Sequence, residues 1–350
     1  MSALVPAITT VLAAVMAVAL LDQWRERRHA FQLIWAIGML FFAIGAGCEA
    51  LAEAKVLSPD GWTEAIYRTW YLTGAVWTAG WLGLGTVFLL GKTRFGYAFA
   101  LALFLAGLFT LLTQNKYHYE GSGSAPIIYF VIAAILAIAA AVETYLRDGR
   151  WPWLAAAAVV GATVLSVVLM ATTTLAAPGY AVDAVTGQPV ADLLPGSLRL
   201  LTPFMNITGG FALAFGAIFS AYTFMPKKRL LGYSLEESQP GEQVVFNMFL
   251  GLIAIPVNFV ASIPMAFGAL RDGTLNSRVP ATILIALGGF AAGAGDALNR
   301  FGITGPFAIA KLVAAIFLLW GFALSIETFR QFRIPFTGIK FGGARAAKGE

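Results

Sequence analysis

Long apolar runs separated by short polar breaks make up nearly the whole chain. A first block runs from about Leu4 to Leu21 and ends at Arg25-Glu26-Arg27-Arg28. Two more follow as a pair, Phe31 to about Ala52 and Trp62 to Leu90, split by the polar break Glu53–Gly61. The pair closes on a basic stop, Gly91-Lys92-Thr93-Arg94. Further blocks cover Tyr97–Thr113, Pro126–Leu146, Trp153–Ala176 and Leu198–Met225, with a long loop, Pro178–Ser197, between the last two. Val244–Leu270 is apolar but carries Pro256, Pro264, Asn247 and Asn258, and Ala281–Leu298 and Phe307–Ile326 complete the series. About 20 helical residues cross a hydrocarbon core of about 30 Å. The pattern therefore predicts an all-α fold, a polytopic transmembrane helix bundle of about ten hydrophobic segments. Barrel strands would instead be short and alternating.

Composition narrows the class. Of 350 residues, 59% are hydrophobic and 12% charged, about half the charge of a soluble domain, and the mean hydropathy is +0.78. The single cysteine, Cys48, excludes an internal disulfide and a cysteine-based metal cluster. His29 and His118 fall in polar loops on opposite sides, which excludes bis-histidine haem ligation inside the bundle. The net charge of +5 sits beside helix ends, so it marks membrane orientation and not a nucleic-acid partner. No polar block is large enough for a soluble catalytic domain. No phosphate-binding glycine loop, HExxH or Ser/His/Asp set is present, so no catalytic residue and no metal ligand is assigned, and the cofactor is unknown.

Charge sets the expected orientation. The first block has no positive segment before it, the reverse of a secretory signal, and reads as a retained span with the N-terminus outside. Loops on one side of the first seven spans carry Arg25, Arg27, Arg28, Lys92, Arg94, Arg147, Arg150, Lys227, Lys228 and Arg229; loops on the other carry Lys55 and Lys116. That bias makes the first side cytoplasmic. Trp62, Tyr67, Trp70 and Tyr71 then form an aromatic belt at the outer edge.

The expected organisation is a seven-span bundle over 1–230, a cytoplasmic linker over 231–243, a three-segment bundle over 244–330 and a basic tail over 331–350. Two readings of 244–270 stay open. If it crosses, the tail (Arg330, Arg333, Lys340, Arg345, Lys348) ends outside, against the charge rule. If it dips in and returns, tail, Arg271 and Arg278 all end inside.

Internal matches suggest duplicated helix hairpins. Gly45-Ala46-Gly47 precedes Glu49 as Gly293-Ala294-Gly295 precedes Asp296, and Arg68 stands nine positions before Trp77 as Lys311 stands before Trp320. Many transport folds are built from such repeats. Small residues also recur wherever membrane helices pack closely, which is the competing explanation.

Ionisable groups inside the apolar blocks are Glu49, Arg68, Glu143, Asp296, Lys311 and Glu327. A charge at mid-membrane costs about 2.5–3.5 kcal/mol on insertion scales, so such groups pair, snorkel or line water. Glu143 and Glu327 lie near helix ends and reach the headgroups. Glu49, Glu53 and Arg68 are read as a structural ion pair, with Arg68 on the antiparallel neighbour of the helix that carries both acids. Asp296 and Lys311 stand in the same relation in the last hairpin and are either a latch or a ligand site. With Asn206, and with Asn258 in the proline-interrupted segment, they form the candidate ligand-binding set.

Three functions fit. The first is handling, by transport or binding, of a small apolar or amphipathic ligand (lipid, quinone or pigment) in a cavity between the hairpins. The second is a non-catalytic accessory or anchoring subunit whose partners are other membrane proteins. The third is a seven-helix-type sensor. The expected location is the plasma (inner) membrane, multi-pass, with the lipid bilayer as solvent.

Overall fold

The structure is a computed structural model that describes residues 3–113, 122–146, 149–232, 241–276, 278–300, 303, 305–324, 332–333 and 340–341. Lys116, His118, Arg147, Glu327, Arg330, Arg345 and Lys348 lie outside the described residues. The chain is an all-α helix bundle. Its long helices are α1 (Leu4–Arg27), α2 (Ala30–Glu53), α3 (Glu64–Leu89), α4 (Phe95–Thr113) and α5 (Ala125–Leu146). They continue as α6 (Trp151–Thr172), α7 (Leu201–Phe224), α8 (Gly241–Arg271), α9 (Arg278–Arg300) and α10 (Phe307–Leu324). Each contains a stretch long and apolar enough to cross a membrane. Helix starts follow local chemistry. Thr63 accepts a hydrogen bond from the Ile66 amide at 3.3 Å and caps α3, and a proline stands in the first turn of α6.

One feature of α3 has no counterpart in the sequence pattern: Tyr71–Trp77 is a π-helical turn. The Thr78 hydroxyl donates to the Thr73 carbonyl five residues back, at 2.7 Å. The extra residue re-phases the helix, so Trp70 turns towards α2 while Trp77 and Trp81 turn towards α6, donating to Ser166 and Thr163 at 2.8 and 3.1 Å.

Glycines bring the central helices into backbone contact. A Cβ on Gly45 of α2 would stand 2.6 Å from the Gly74 Cα of α3, and one on Gly83 of α3 would stand 2.5 Å from the Gly209 Cα of α7. Facing residues then give the sense of each crossing. The side carrying Arg25, Arg27, Arg28, Lys92, Arg94 and Lys227–Arg229 is called the basic end. α7 and α9 run antiparallel, with Asn206 against Asp296, Phe215 against Phe290, and Phe224 under the Arg278 guanidinium at 4.9 Å. Arg278 therefore starts α9 at the basic end. α10 runs back beside it, with Gly295 near Ala310, Gly288 near Leu318 and Gly321 near Ile285. It finishes at the basic end, where Phe322 packs edge-on against Trp35 at 5.0 Å.

α8 consequently joins two points on the same side. It is a continuous helix that includes both Pro256 and Pro264, and so is neither a broken span nor a loop that dips and returns. Its Ala266 packs with Ala221, Tyr222 and Met225 of the α7 terminus and with Val279 of α9. Ser262 and Asn258 bind the amides of Lys228, Leu230 and Leu231. If α8 crossed from Arg271, Asn258 would lie about 20 Å deeper and would draw Lys227, Lys228 and Arg229 into hydrocarbon. Three cations there cost roughly 8–10 kcal/mol.

The segments after residue 230 do not form a core of their own. Ile285, Ala286, Ala315, Leu318 and Phe322 share one buried cluster with Met16, Leu20, Met39, Phe42, Leu82 and Leu213.

Candidate functional site

Between α3, α7, α9 and α10 lies a cavity of about 700 Å³. Its walls are glycine, alanine and phenylalanine: Gly210, Gly289, Gly293, Phe42, Phe109, Phe211 and Phe215 among them. Small residues leave the space and the rings surround it, so the interior offers dispersion contacts and almost no hydrogen bonds. Two lining residues, Phe215 and Phe290, meet edge-to-face at 5.6 Å and are 38% and 44% exposed. The cavity thus reaches the apolar flank of the bundle between α7 and α9.

Polar groups converge at one end of this space. Asn206 Nδ2 donates to Asp296 Oδ2 at 3.2 Å, joining α7 to α9. Lys311 of α10 lines the same region, with its ammonium 4.2 Å from the centre of the Phe307 ring. Lys311 is ion-paired with Glu49 of α2, making contact with both carboxylate oxygens. Glu49 is almost fully buried and also accepts from the Trp70 indole N–H at 2.7 Å. A charge in hydrocarbon requires such partners. The π-helical turn of α3 begins one residue after Trp70, so the irregular backbone and the buried carboxylate share one neighbourhood.

These contacts revise the expected pairings. Lys311 reaches across to the first hairpin, a pairing that the same-hairpin reading with Asp296 does not contain. Arg68 pairs with neither Glu49 nor Glu53. It binds Glu64, one turn earlier, with Nε 2.8 Å from Oε1. Its other nitrogens donate to the carbonyls of Met170 and Thr173 at the far end of α6, with the Thr173 contact at 2.7 Å. Helix C-terminal carbonyls lack intrahelical donors, and a guanidinium there satisfies them and complements the dipole. Glu53 instead accepts from Gln188 Nε2 at 3.1 Å, which ties α2 to the 178–195 loop.

Asn258 does not line the cavity. Its side-chain carbonyl accepts from the amides of Leu230 and Leu231 at 2.8 and 3.0 Å, and its Nδ2 donates to the Leu231 carbonyl at 2.8 Å. The amide mimics a neighbouring strand and fastens residues 228–231 to α8. It is a structural fastening, because each of its polar atoms is already used.

Of the expected ligand set, Asn206, Asp296 and Lys311 meet at one cavity and Asn258 stands apart. Gln188 is an addition that sequence reasoning did not single out. Trp70, expected with Trp62, Tyr67 and Tyr71 in an outer aromatic belt, is instead buried with them inside the bundle, where it binds Glu49. The 178–195 loop is built on Asp183, whose carboxylate accepts from the Thr186 amide at 2.7 Å, the Thr186 hydroxyl at 2.8 Å and the Val185 amide at 3.1 Å. The Thr186 bonds above all hold this carboxyl below the usual aspartate range. No cluster of three or more His, Cys, Asp or Glu side chains suited to a metal occurs among the described residues.

No match to the chain is found among protein-family models, curated proteins or solved structures.

Proposed function

We propose that this multi-pass membrane protein binds or transports a small apolar or amphipathic molecule of the lipid, quinone or pigment class. The ligand occupies the cavity between α3, α7, α9 and α10, with its polar end towards Asn206, Asp296 and Lys311. The observation that carries this reading is the contrast within one space: apolar walls over most of about 700 Å³, and convergent polar groups at one end. Volume and lining are those of a small-molecule site. The exposed pair Phe215 and Phe290 supports entry from the bilayer, the route of a lipid-soluble molecule. Hairpins α2–α3 and α9–α10 both run from the basic end outward and back, which supports reading them as a duplicated unit around the cavity. By the positive-inside rule the basic end is cytoplasmic, in a bacterial inner membrane.

The test is to fill the cavity. Gly210 and Gly293 line it, and a Cβ on either meets no atom within 4 Å. Wild-type protein purified in mild detergent is expected to retain a stoichiometric small molecule, seen by native mass spectrometry and by solvent extraction. Gly210→Phe and Gly293→Phe should lose it at least tenfold while keeping the thermal midpoint. Equal retention in the filled variants would overturn the assignment. A stoichiometric protein partner with no small molecule would favour the accessory-subunit alternative.

A further inference from the structure

We propose that α8 is a docking surface for the anionic lipid leaflet at the basic end, lying along the headgroup boundary with its apolar face towards the acyl chains. The inference is independent of the cavity and its ligand. Two faces of α8 carry opposite roles. Ala254, Asn258, Ser262 and Ala266, at intervals of four, are buried, and Asn258 and Ser262 hold the backbone of residues 228–231. The opposite face presents Ile253, Val257, Val260 and Phe267, and Phe267 is 68% exposed.

Bases flank this apolar stripe at its middle and its C-terminal end and are absent from it. Lys227, Lys228 and Arg229 lie on the segment fastened along α8, and Arg271 and Arg278 flank its C-terminal end; all five are exposed. Asp272 is the acid beside Arg271, and Glu236, Glu237 and Glu242 precede the apolar part of α8 in the sequence, so the basic margin is that of its middle and C-terminal half. Apolar residues on one side with cations at the margins are what an in-plane helix needs on a negatively charged leaflet. The fold supplies the geometry: α7 ends and α9 begins on one side, and the middle of α8 is held at that level by Ser262 and Asn258.

The experiment places single nitroxide labels at Ile253→Cys, Val260→Cys and Phe267→Cys in a Cys48→Ala background. The full chain is reconstituted in vesicles of phosphatidylglycerol and phosphatidylcholine, and depth is read from collision rates with oxygen and with an aqueous nickel chelate. Residues 253 and 267 are about 21 Å apart along a helix axis. An in-plane helix gives all three labels one shallow depth. A progression through mid-membrane would overturn the proposal, as would dipolar broadening that shows a second copy on this face. In pure phosphatidylcholine, or with Lys227, Lys228 and Arg229 all changed to Gln, aqueous accessibility at all three sites should rise several-fold. Unchanged accessibility in both conditions would remove the anionic leaflet as the occupant. Circular dichroism and the thermal midpoint confirm that the variants are folded.

Discussion

Removing the ammonium of Lys311 by Lys311→Met tests whether the buried ion pair joins the two hairpins energetically as well as geometrically. Glu49 is 1% exposed, and its partners are the Lys311 ammonium and the Trp70 N–H. Without Lys311 the carboxylate keeps one neutral donor in a site that water hardly reaches. Breaking a buried pair on one side costs about 3–5 kcal/mol, a factor of roughly 10² to 10⁴ in the folding equilibrium. Glu49→Gln costs less, about 1–3 kcal/mol, because an amide still accepts from Trp70 and the longer lysine can redirect its head. The double variant Glu49→Gln, Lys311→Met leaves neither charge. Its cost should fall well below the sum of the single changes, with a coupling energy of roughly 2–3 kcal/mol. The assay is equilibrium unfolding of the three variants in mixed micelles, monitored by tryptophan fluorescence and circular dichroism. Additive single effects, or a Lys311→Met variant within about 0.5 kcal/mol of wild type, would refute the reasoning.

Two further outcomes follow from local geometry. Gly83→Val places a side chain on the Gly209 backbone, where a Cβ would be 2.7 Å from the carbonyl carbon, and should cost about 3 kcal/mol or more by forcing α3 and α7 apart. The control is Gly210→Val, one residue along α7 and facing open space; equal thermal midpoints for the two would contradict the packing. The loop that delivers Gln188 to Glu53 should loosen in acid, because the Asp183 carboxyl is held below its usual range. A depressed folded-state pKa gives stability that is fully present above the unfolded value of about 3.9 and is lost as pH falls through the folded value. The protection factors of the Val185 and Thr186 amides, taken against the intrinsic exchange rate at each pH, should therefore hold from neutral pH down to that acid range and fall only within it. Asp183→Asn should flatten the response, and an unchanged profile in that variant would remove Asp183 as its origin.

The solvent of this chain was legible because apolar runs of membrane-spanning length have no other stable home. Helix positions followed from the same runs, to within a few residues at their ends. Asn206, Asp296 and Lys311 were also legible as candidates, since polar groups in hydrocarbon seek one another. Their partners were less so. Glu49 and Lys311 are 262 residues apart, and their meeting depends on how α2 packs beside α10, which a helical period does not encode. Arg68 and Glu64 show the reverse case. Their spacing of four was in plain view, yet the depth of Arg68 drew attention to the acids of the other helix. The π-helical turn at Tyr71–Trp77 carries no proline or glycine pair to announce it; it lies where α3 meets α2 at Gly45. Asn258 was read as a ligand because prolines flank it. Its amide instead replaces the hydrogen bonds of an extended segment that no sheet serves.

Parity ties these observations together. α2 and α10 are antiparallel, since Glu49 meets Lys311 near one end and Trp35 meets Phe322 near the other. α2 runs outward from the basic end, so α10 runs towards it, and α9, antiparallel to α10, leaves from it. Seven crossings place the end of α7 at the basic end as well, with Phe224 beneath Arg278. An odd number of crossings between those two points would break this parity, which is the reason we propose an in-plane α8 even though it is the longest of these helices and amply apolar. The charge rule agrees for a separate reason: with nine crossings Arg271, Arg278 and the end of α10 all fall on the side that already carries Lys227, Lys228 and Arg229. Hydropathy counts ten candidates because it measures what a helix tolerates; the contacts that the middle and C-terminal part of α8 make with the ends of α7 and α9 bear on where it goes.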